Sequence, residues 1–186
     1  MKIDLGCGRS KAEGFVGVDQ HFLKGVDVVA DLEASLPFGS DTIDFVYSKS
    51  VLEHLDPLDL VMSELHRVVK RGGEILIRVP HFSSPLSFSD YTHRRFFGYY
   101  TFDYFVPEAA QKSRRKVPDF YTPFKFTIVS KRLRFASAIP PLVPLLWIWE
   151  KVVNSSELMA LFYESMLCYL VPCHSIEVRL TPSKEP

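Results

Sequence analysis

Ile3-Asp4-Leu5-Gly6-Cys7-Gly8 opens the chain, and Phe15-Val16-Gly17-Val18-Asp19 follows closely. The first stretch reads as a short buried strand running into a glycine turn. Glycine has no Cβ, so a Gly-x-Gly turn lets the backbone come close to a bound nucleoside. The second stretch reads as a strand that ends in a carboxylate. At the carboxyl edge of a parallel sheet, such a group can accept both ribose hydroxyls of an adenosine. Two strand-then-ligand units therefore place a nucleoside site near the start of the chain.

The pattern continues outward from there. Strands are expected at 2–5, 15–19, 26–30, 43–47 and 74–79, the last two apolar enough for burial on both faces. The clearest helix is 57–70. Asp56 is its expected cap, Pro57 suits its first turn, and Lys70-Arg71-Gly72 supplies a basic end and a stop. Leu58, Val61, Met62, Leu65, Val68 and Val69 fall on one helical face. Strands joined by helical or loop crossovers imply an α/β fold with a parallel sheet. At His81 the composition changes. Residues 81–126 hold more than half of the aromatic residues, too many for a disordered linker, and read as a cap folded over the strand ends. Residues 126–134 and 175–181 read as two more strands, separated by an apolar insertion, 136–173. Ser156 to Val171 is apolar almost all round, which implies burial or a partner surface.

Bulk properties narrow the function. A chain of 186 residues supports one sizeable core, so a single domain over 1–186 is expected. Lys plus Arg equals Asp plus Glu at 22 each, which argues against nucleic acid as the main partner. Lys112 to Lys116 and Lys131 to Arg134 read as a solvated loop and a strand end. Cys7, Cys168 and Cys173 have no CxxC spacing, which suggests reduced thiols and a cytoplasmic location. The chain begins inside a predicted core strand, leaving no room for a signal peptide. No apolar run reaches the length of a membrane span. No spacing of His, Cys, Asp or Glu marks a metal site.

Taken in order, the motifs form a series: Asp4-Leu5-Gly6-Cys7-Gly8, Gly17-Val18-Asp19, Ala30-Asp31-Leu32, Leu36-Pro37-Phe38, Asp44-Phe45-Val46-Tyr47-Ser48, Val51-Leu52-Glu53-His54-Leu55, and Glu64 to Gly73. This series resembles the class I S-adenosylmethionine-dependent methyltransferases, in particular the type 11 branch, whose members act mostly on small molecules. The resemblance covers residues 3–80 in detail. It implies a Rossmann-like, mostly parallel seven-stranded sheet with an antiparallel last strand. It also implies roles. Gly6, Cys7 and Gly8 turn around the methionine part of the cofactor, and Asp4 holds that turn and reaches toward the cofactor amine through water. Asp19 binds the ribose hydroxyls with Gln20 beside the adenine. Asp31 accepts the adenine amino hydrogen, and the Leu32 N–H donates to the ring. Ser48 lies near the methionine carbon chain. Two departures stand out. Ser10 occupies the third glycine position, and only fourteen residues lie between Asp4 and Asp19. A loop, Arg9 to Gly14, is expected to replace the first crossover helix and leave the cofactor more open on that side. The same shortening tells against a nicotinamide-binding domain, which wants a glycine where Lys11 stands.

Methyl transfer from a sulfonium needs alignment and exclusion of water, and a base only if the nucleophile must lose a proton. His81, just after the fifth strand, is the first candidate for a base or substrate contact; the alternative is a histidine that caps the strand end. Asp90 and His93, in Asp90-Tyr91-Thr92-His93-Arg94-Arg95-Phe96-Phe97, form the second candidate, with Asp90 orienting the imidazole; the alternative is a latch between cap and sheet. Glu53 and His54 read as structural contacts near the cofactor. The aromatic cap suggests a small apolar or ring-shaped acceptor, although most of its rings will serve as core. The insertion has three readings: a homodimer surface, a lid over a lipophilic substrate, and a membrane-surface contact through Leu145, Leu146, Trp147, Ile148 and Trp149. The resulting expectation is methyl transfer to a small molecule. The competing readings are a non-catalytic cofactor-binding partner subunit and a protein methyltransferase.

Overall fold

A computed structural model describes residues 1–184; residues 185–186 lie outside the described residues. The strands are β1 (Lys2–Leu5), β2 (Val16–Asp19), β3 (Val28–Val29), β4 (Ile43–Lys49), β5 (Val69–Pro80), β6 (Lys125–Arg134) and β7 (Ser175–Ser183). They form one sheet in the order β3-β2-β1-β4-β5-β7-β6. β1 to β5 pair in parallel, and β7 runs antiparallel to both β5 and β6. Every strand predicted from the sequence is present, and the antiparallel last strand is inserted between β5 and β6.

The chain order reverses at β1, so the loops after β1 and β4 leave in opposite directions. That divergence opens a cleft at the carboxyl ends of the strands, the usual ligand site of such sheets. No α-helix fills the β1–β2 connection, as its length required. Instead Ala12 N–H donates to Asp4 at 2.7 Å, and Lys11 pairs with Asp27 at 2.7 Å.

The one long crossover helix, α1 (Leu58–Val68), buries Leu58, Val61, Met62, Leu65 and Val68. Its ends differ from expectation. Pro57 takes the cap position with no side-chain cap bond, and Asp56 pairs instead with Arg95. At the other end β5 begins directly at Val69, and Gly72-Gly73 fall at an irregularity in the β4–β5 register rather than at a helix stop.

A second difference concerns layering. β5 and β7 alternate strictly between buried and half-buried residues over most of their length. Ile75, Ile77, Val79, Ile176, Val178 and Leu180 join one core with α1, the cap and the insertion. The opposite side carries Leu76, Arg78, Glu177 and Arg179, with cross-strand ion pairs Arg78–Glu177 and Arg179–Glu74. β5, expected to be buried on both faces, is therefore covered on one, as is β7 beside it. Apolar composition alone could not separate a doubly covered strand from one whose polar residues pair across the sheet.

The segment 81–124 lies over the strand ends. It contains the short helix α2 (Pro85–Ser89), and a parallel bridge joins His81, directly after β5, to Phe97. Phe97, Tyr99, Phe102 and Phe105 enter the core. Its firmest anchor is Asp103, 2 % exposed, which pairs with the buried Lys131 of β6 and accepts from the Ser113 hydroxyl. The Lys131 ammonium also lies 3.9 Å from the Tyr99 ring centre. The insertion folds as α3 (Val143–Val153) and α4 (Glu157–Phe162), continued by a π-helical turn over Tyr163–Leu167. Ala160, Tyr163 and Cys168 are buried, whereas Leu145, Trp147, Ile148, Phe162 and Met166 are exposed, so the insertion is apolar on both its inner and outer sides. No helix among the described residues is long and apolar enough to cross a membrane.

Removing one partner of a buried ion pair leaves a buried charge without compensation. Asp103→Ala should therefore cost about 3–5 kcal/mol in urea unfolding. Limited proteolysis under native conditions should show cleavage moving into 99–117.

Candidate functional site

The turn after β1 is held by β2. Gly6 N–H and Cys7 N–H both donate to the Val18 carbonyl, at 2.7 and 3.2 Å. Gly8 N–H donates to Asp19 Oδ2 and His21 N–H to Asp19 Oδ1, each at 2.9 Å. Gly6 sits at φ +68°, and a Cβ there would lie 2.3 Å from a Val51 methyl. Glycine is required at this point because the loop after β4 presses against the turn.

Two adjoining cavities open at the strand ends. The first, about 450 Å³, is lined by Gly6, Asp19, Gln20, His21, Leu32, Ser50, Val51, His54, Leu55, Thr92 and Arg94. The second, about 430 Å³, is lined by Ser50, Glu53, His54, Pro80, Leu86, Ser89, Asp90, Tyr91 and His93. Ser50 and His54 belong to both, so the two spaces meet at the loop after β4.

Of the residues read as cofactor contacts, Gly6, Asp19, Gln20 and Leu32 line the first cavity. Gly8 reaches it through its bond to Asp19. Asp4 and Ser48 are buried behind the turn, and Ser48 Oγ has no hydrogen-bond partner. Burial raises the Asp4 carboxyl, against the pull of the Ala12 amide and Lys11. Cys7 is a buried turn residue whose thiol burial also pushes up. Asp31 is exposed and accepts from Glu33 N–H at 2.9 Å.

Among the residues read as catalytic, His81 departs from expectation. It is fully buried and lines neither cavity. Ser83 N–H donates to its Nδ1 at 3.1 Å, so Nε2 carries the proton and faces Glu164 Oε1 at 3.0 Å. Both ring nitrogens are thus committed to fastening the cap, because the strand end on which His81 sits is sealed by the cap and the π-helical turn.

His93 and Asp90 do line the second cavity, and they meet a pair that the sequence reading set aside. His93 Nδ1 lies 3.1 Å from the Ser87 carbonyl, an acceptor only, so the ring donates there. His93 Nε2 stands 3.9 Å from Glu53 Oε1 and 3.8 Å from Asp90 Oδ2. Thr92 Oγ1 donates to Asp90 Oδ1 at 2.6 Å and so accepts from His54 Nδ1 at 2.9 Å. The rings of His54 and His93 meet edge to face, 4.7 Å between centres. Glu53 is 1 % exposed, and neither carboxylate oxygen has a hydrogen-bond partner. Its burial outweighs the opposing pull of nearby backbone amides and of His93, and lifts its carboxyl to about 7. Burial, followed by repulsion from His93, lowers His54, while the Thr92 hydroxyl and amide lower Asp90. The sequence signal for this group was split between Val51 to Leu55 and Asp90 to Phe97. The two segments meet through backbone bonds from Arg94 and Arg95 N–H to the Glu53 carbonyl, the Thr92–His54 bond and a bond from Arg95 Nε to the Leu55 carbonyl.

Residues 8–77 match the family model described as a methyltransferase domain. Over those residues the chain is similar to methyltransferase domains. Its fold is shared with an S-adenosylmethionine-dependent methyltransferase from Archaeoglobus fulgidus: TM-score 0.53, 18% identity, 97% of this chain and 85% of that one. YcgJ from Bacillus subtilis aligns with TM-score 0.56 and 14% identity over 100% of this chain and 92% of that one. A chain of the Haloferax volcanii complex containing the Trm112 methyltransferase activator aligns with TM-score 0.58 and 14% identity over 98% and 82%. Among curated proteins, none matches the chain.

The first cavity fits the S-adenosylmethionine that this similarity implies. A cavity of this size suits a nucleoside ligand. Each Asp19 oxygen accepts one backbone N–H and keeps a lone pair for a ribose hydroxyl. Gly6 keeps the turn free of side chain where the methionine part would lie.

Two measurements check this geometry. Gly6→Ala meets both a left-handed backbone and the Val51 side chain, so it should cost at least about 2 kcal/mol in urea unfolding. Gly8→Ala meets only the backbone penalty, because no atom lies within 4 Å, and should cost about 1 kcal/mol. Glu53 supplies a pH test. Its folded value is raised, so its contribution is fully present below about 4.5 and is lost as pH rises through about 7. In metal-free buffer, Glu53→Gln should gain on the parent across that window, by up to about 3 kcal/mol.

Proposed function

We propose that the chain is an S-adenosylmethionine-dependent methyltransferase whose small-molecule acceptor enters the second cavity and meets the methyl group between Ser50 and His54. The observation that carries the reading is the contiguity of the two cavities at those residues. When bound in the first cavity, the cofactor supplies an electrophilic methyl group on a sulfonium. The chain's own residues do the rest. Asp19 holds the ribose, with Gln20 and Leu32 along the adenine side and Asp31 within reach of its amino group. Gly6, Cys7 and Gly8 shape the turn, and Asp4 and Ser48 back it.

The second cavity has two kinds of wall. Pro80, Leu86 and Tyr91 offer an apolar and aromatic side, and Glu53, His54, Asp90 and His93 a polar one. That pairing suits an acceptor with an apolar body and one nucleophilic heteroatom. An imidazole lone pair of His54 or His93 can take the proton of an O–H or N–H nucleophile. His81 is left out of this chemistry.

Calorimetric titration with S-adenosylmethionine and S-adenosylhomocysteine tests the first half. Asp19→Ala should weaken both by roughly ten- to hundredfold, the worth of charge-assisted hydrogen bonds. Asp19→Asn should fall between parent and Ala. Transfer of labelled methyl from the cofactor into fractionated cell extract tests the second half. Label in the small-molecule fraction is expected. Label only in protein would assign a protein acceptor, and intact binding without transfer would assign a non-catalytic partner.

A further inference from the structure

Glu53, His54 and His93 each place one donor atom within 4.8 Å of the other two. The sequence reading found no metal spacing because His93 reaches this group from the cap, far along the chain from Glu53 and His54. The three residues supply two imidazoles and one carboxylate, the donor set of catalytic zinc sites and of related transition-metal centres. We propose that Glu53, His54 and His93 bind a divalent transition-metal ion of the zinc class, with an open coordination position toward the second cavity.

Three observations carry the assignment. The first is Glu53 itself. A carboxylate 1 % exposed with both oxygens unpartnered is costly unless a proton or a cation joins it. The second is the orientation of the imidazoles. His93 donates from Nδ1 to the Ser87 carbonyl, and His54 donates from Nδ1 to the Thr92 hydroxyl, which is held in turn by Asp90. A metal-bound histidine is oriented in this way, through its other ring nitrogen, and in the neutral ring the lone pair then sits on Nε2. The third is spacing. Ligands about 2.0–2.1 Å from a tetrahedral zinc ion stand about 3.3 Å from one another. The 3.9 Å between His93 Nε2 and Glu53 Oε1 needs only a small closure to reach that separation. Two nitrogens and one oxygen favour zinc, cobalt or iron over magnesium or calcium, which take oxygen ligands.

Three protein ligands leave the fourth position open, as in catalytic sites rather than structural ones. All three residues line the second cavity, so that position faces the space assigned to the acceptor. With the ion in place the imidazoles are ligands, and the ion's charge loosens the acceptor's proton instead. The site goes beyond the methyltransferase reading and does not rest on it, because binding of the ion is measured without cofactor or acceptor.

The test is calorimetric titration of Zn²⁺ into the chelator-stripped full chain, with the visible absorption of the Co²⁺ form as a second readout. One Zn²⁺ per chain is expected, with cobalt bands of a low-coordinate nitrogen–oxygen site. Glu53→Gln and His93→Asn should each weaken Zn²⁺ by more than about tenfold, a loss that even outer-shell changes can reach. Metal-free Glu53→Gln should melt no lower than the parent at neutral pH, which separates a lost ligand from a lost fold. If Glu53→Gln does not fold, His93→Asn decides alone. No stoichiometric binding, or affinity within twofold of the parent in both variants, would overturn the proposal.

Discussion

The structure depends on one short set of backbone bonds between the end of β1 and the end of β2. Gly6 and Cys7 donate to the Val18 carbonyl, and Gly8 donates to the Asp19 carboxylate. In a longer crossover a helix would hold that turn from behind. Here the turn is held by the next strand and by the Asp4 and Lys11 contacts of the connecting loop. The residue that binds the ribose in the proposed reading is therefore also the residue that shapes the glycine turn. Binding and local fold share one side chain, so Asp19 cannot be judged by either alone.

The sheet shows what a chain of this length omits. Residues of α1, α3 and α4 join one core with one side of β5 and β7, and the opposite side of these strands is finished with ion pairs. The cap completes the covered side and walls the second cavity, and its attachment relies on the buried Lys131–Asp103 pair and on the closed group around His81. Buried polar groups in the cap thus act as fasteners, whereas those around Glu53 remain open to a ligand. Hydrogen-bond satisfaction separates the two kinds: His81 has both nitrogens committed, and Glu53 has neither oxygen partnered.

The sequence made the near-diagonal part of this arrangement legible. The strand ending at Leu5, the strand ending at Asp19 and the amphipathic helix are local patterns, and they appear where their periodicity and turn residues put them. The single-face burial was not legible. Ile75, Ile77 and Val79 look alike whether one layer or two covers them, and the ion pairs of Arg78 and Arg179 join residues about a hundred positions apart. The meeting of Glu53 and His54 with His93 was hidden for the same reason, as was the burial of His81 beneath Glu164. Each depends on where the cap lands, which is set by packing rather than by spacing.

The order of the strands also has a consequence for synthesis. β7 is the last strand made, yet it lies between β5 and β6. While residues 135–174 are being made, β5 and β6 lack the strand that pairs with both in the finished sheet. Unpaired strand edges are templates for wrong pairing, and growing chains with them exposed draw chaperones. The insertion prolongs that interval, so its length sets a waiting time during translation. Slow codons across α3 and α4 would lengthen the exposure and lower the yield of folded protein without changing a single residue.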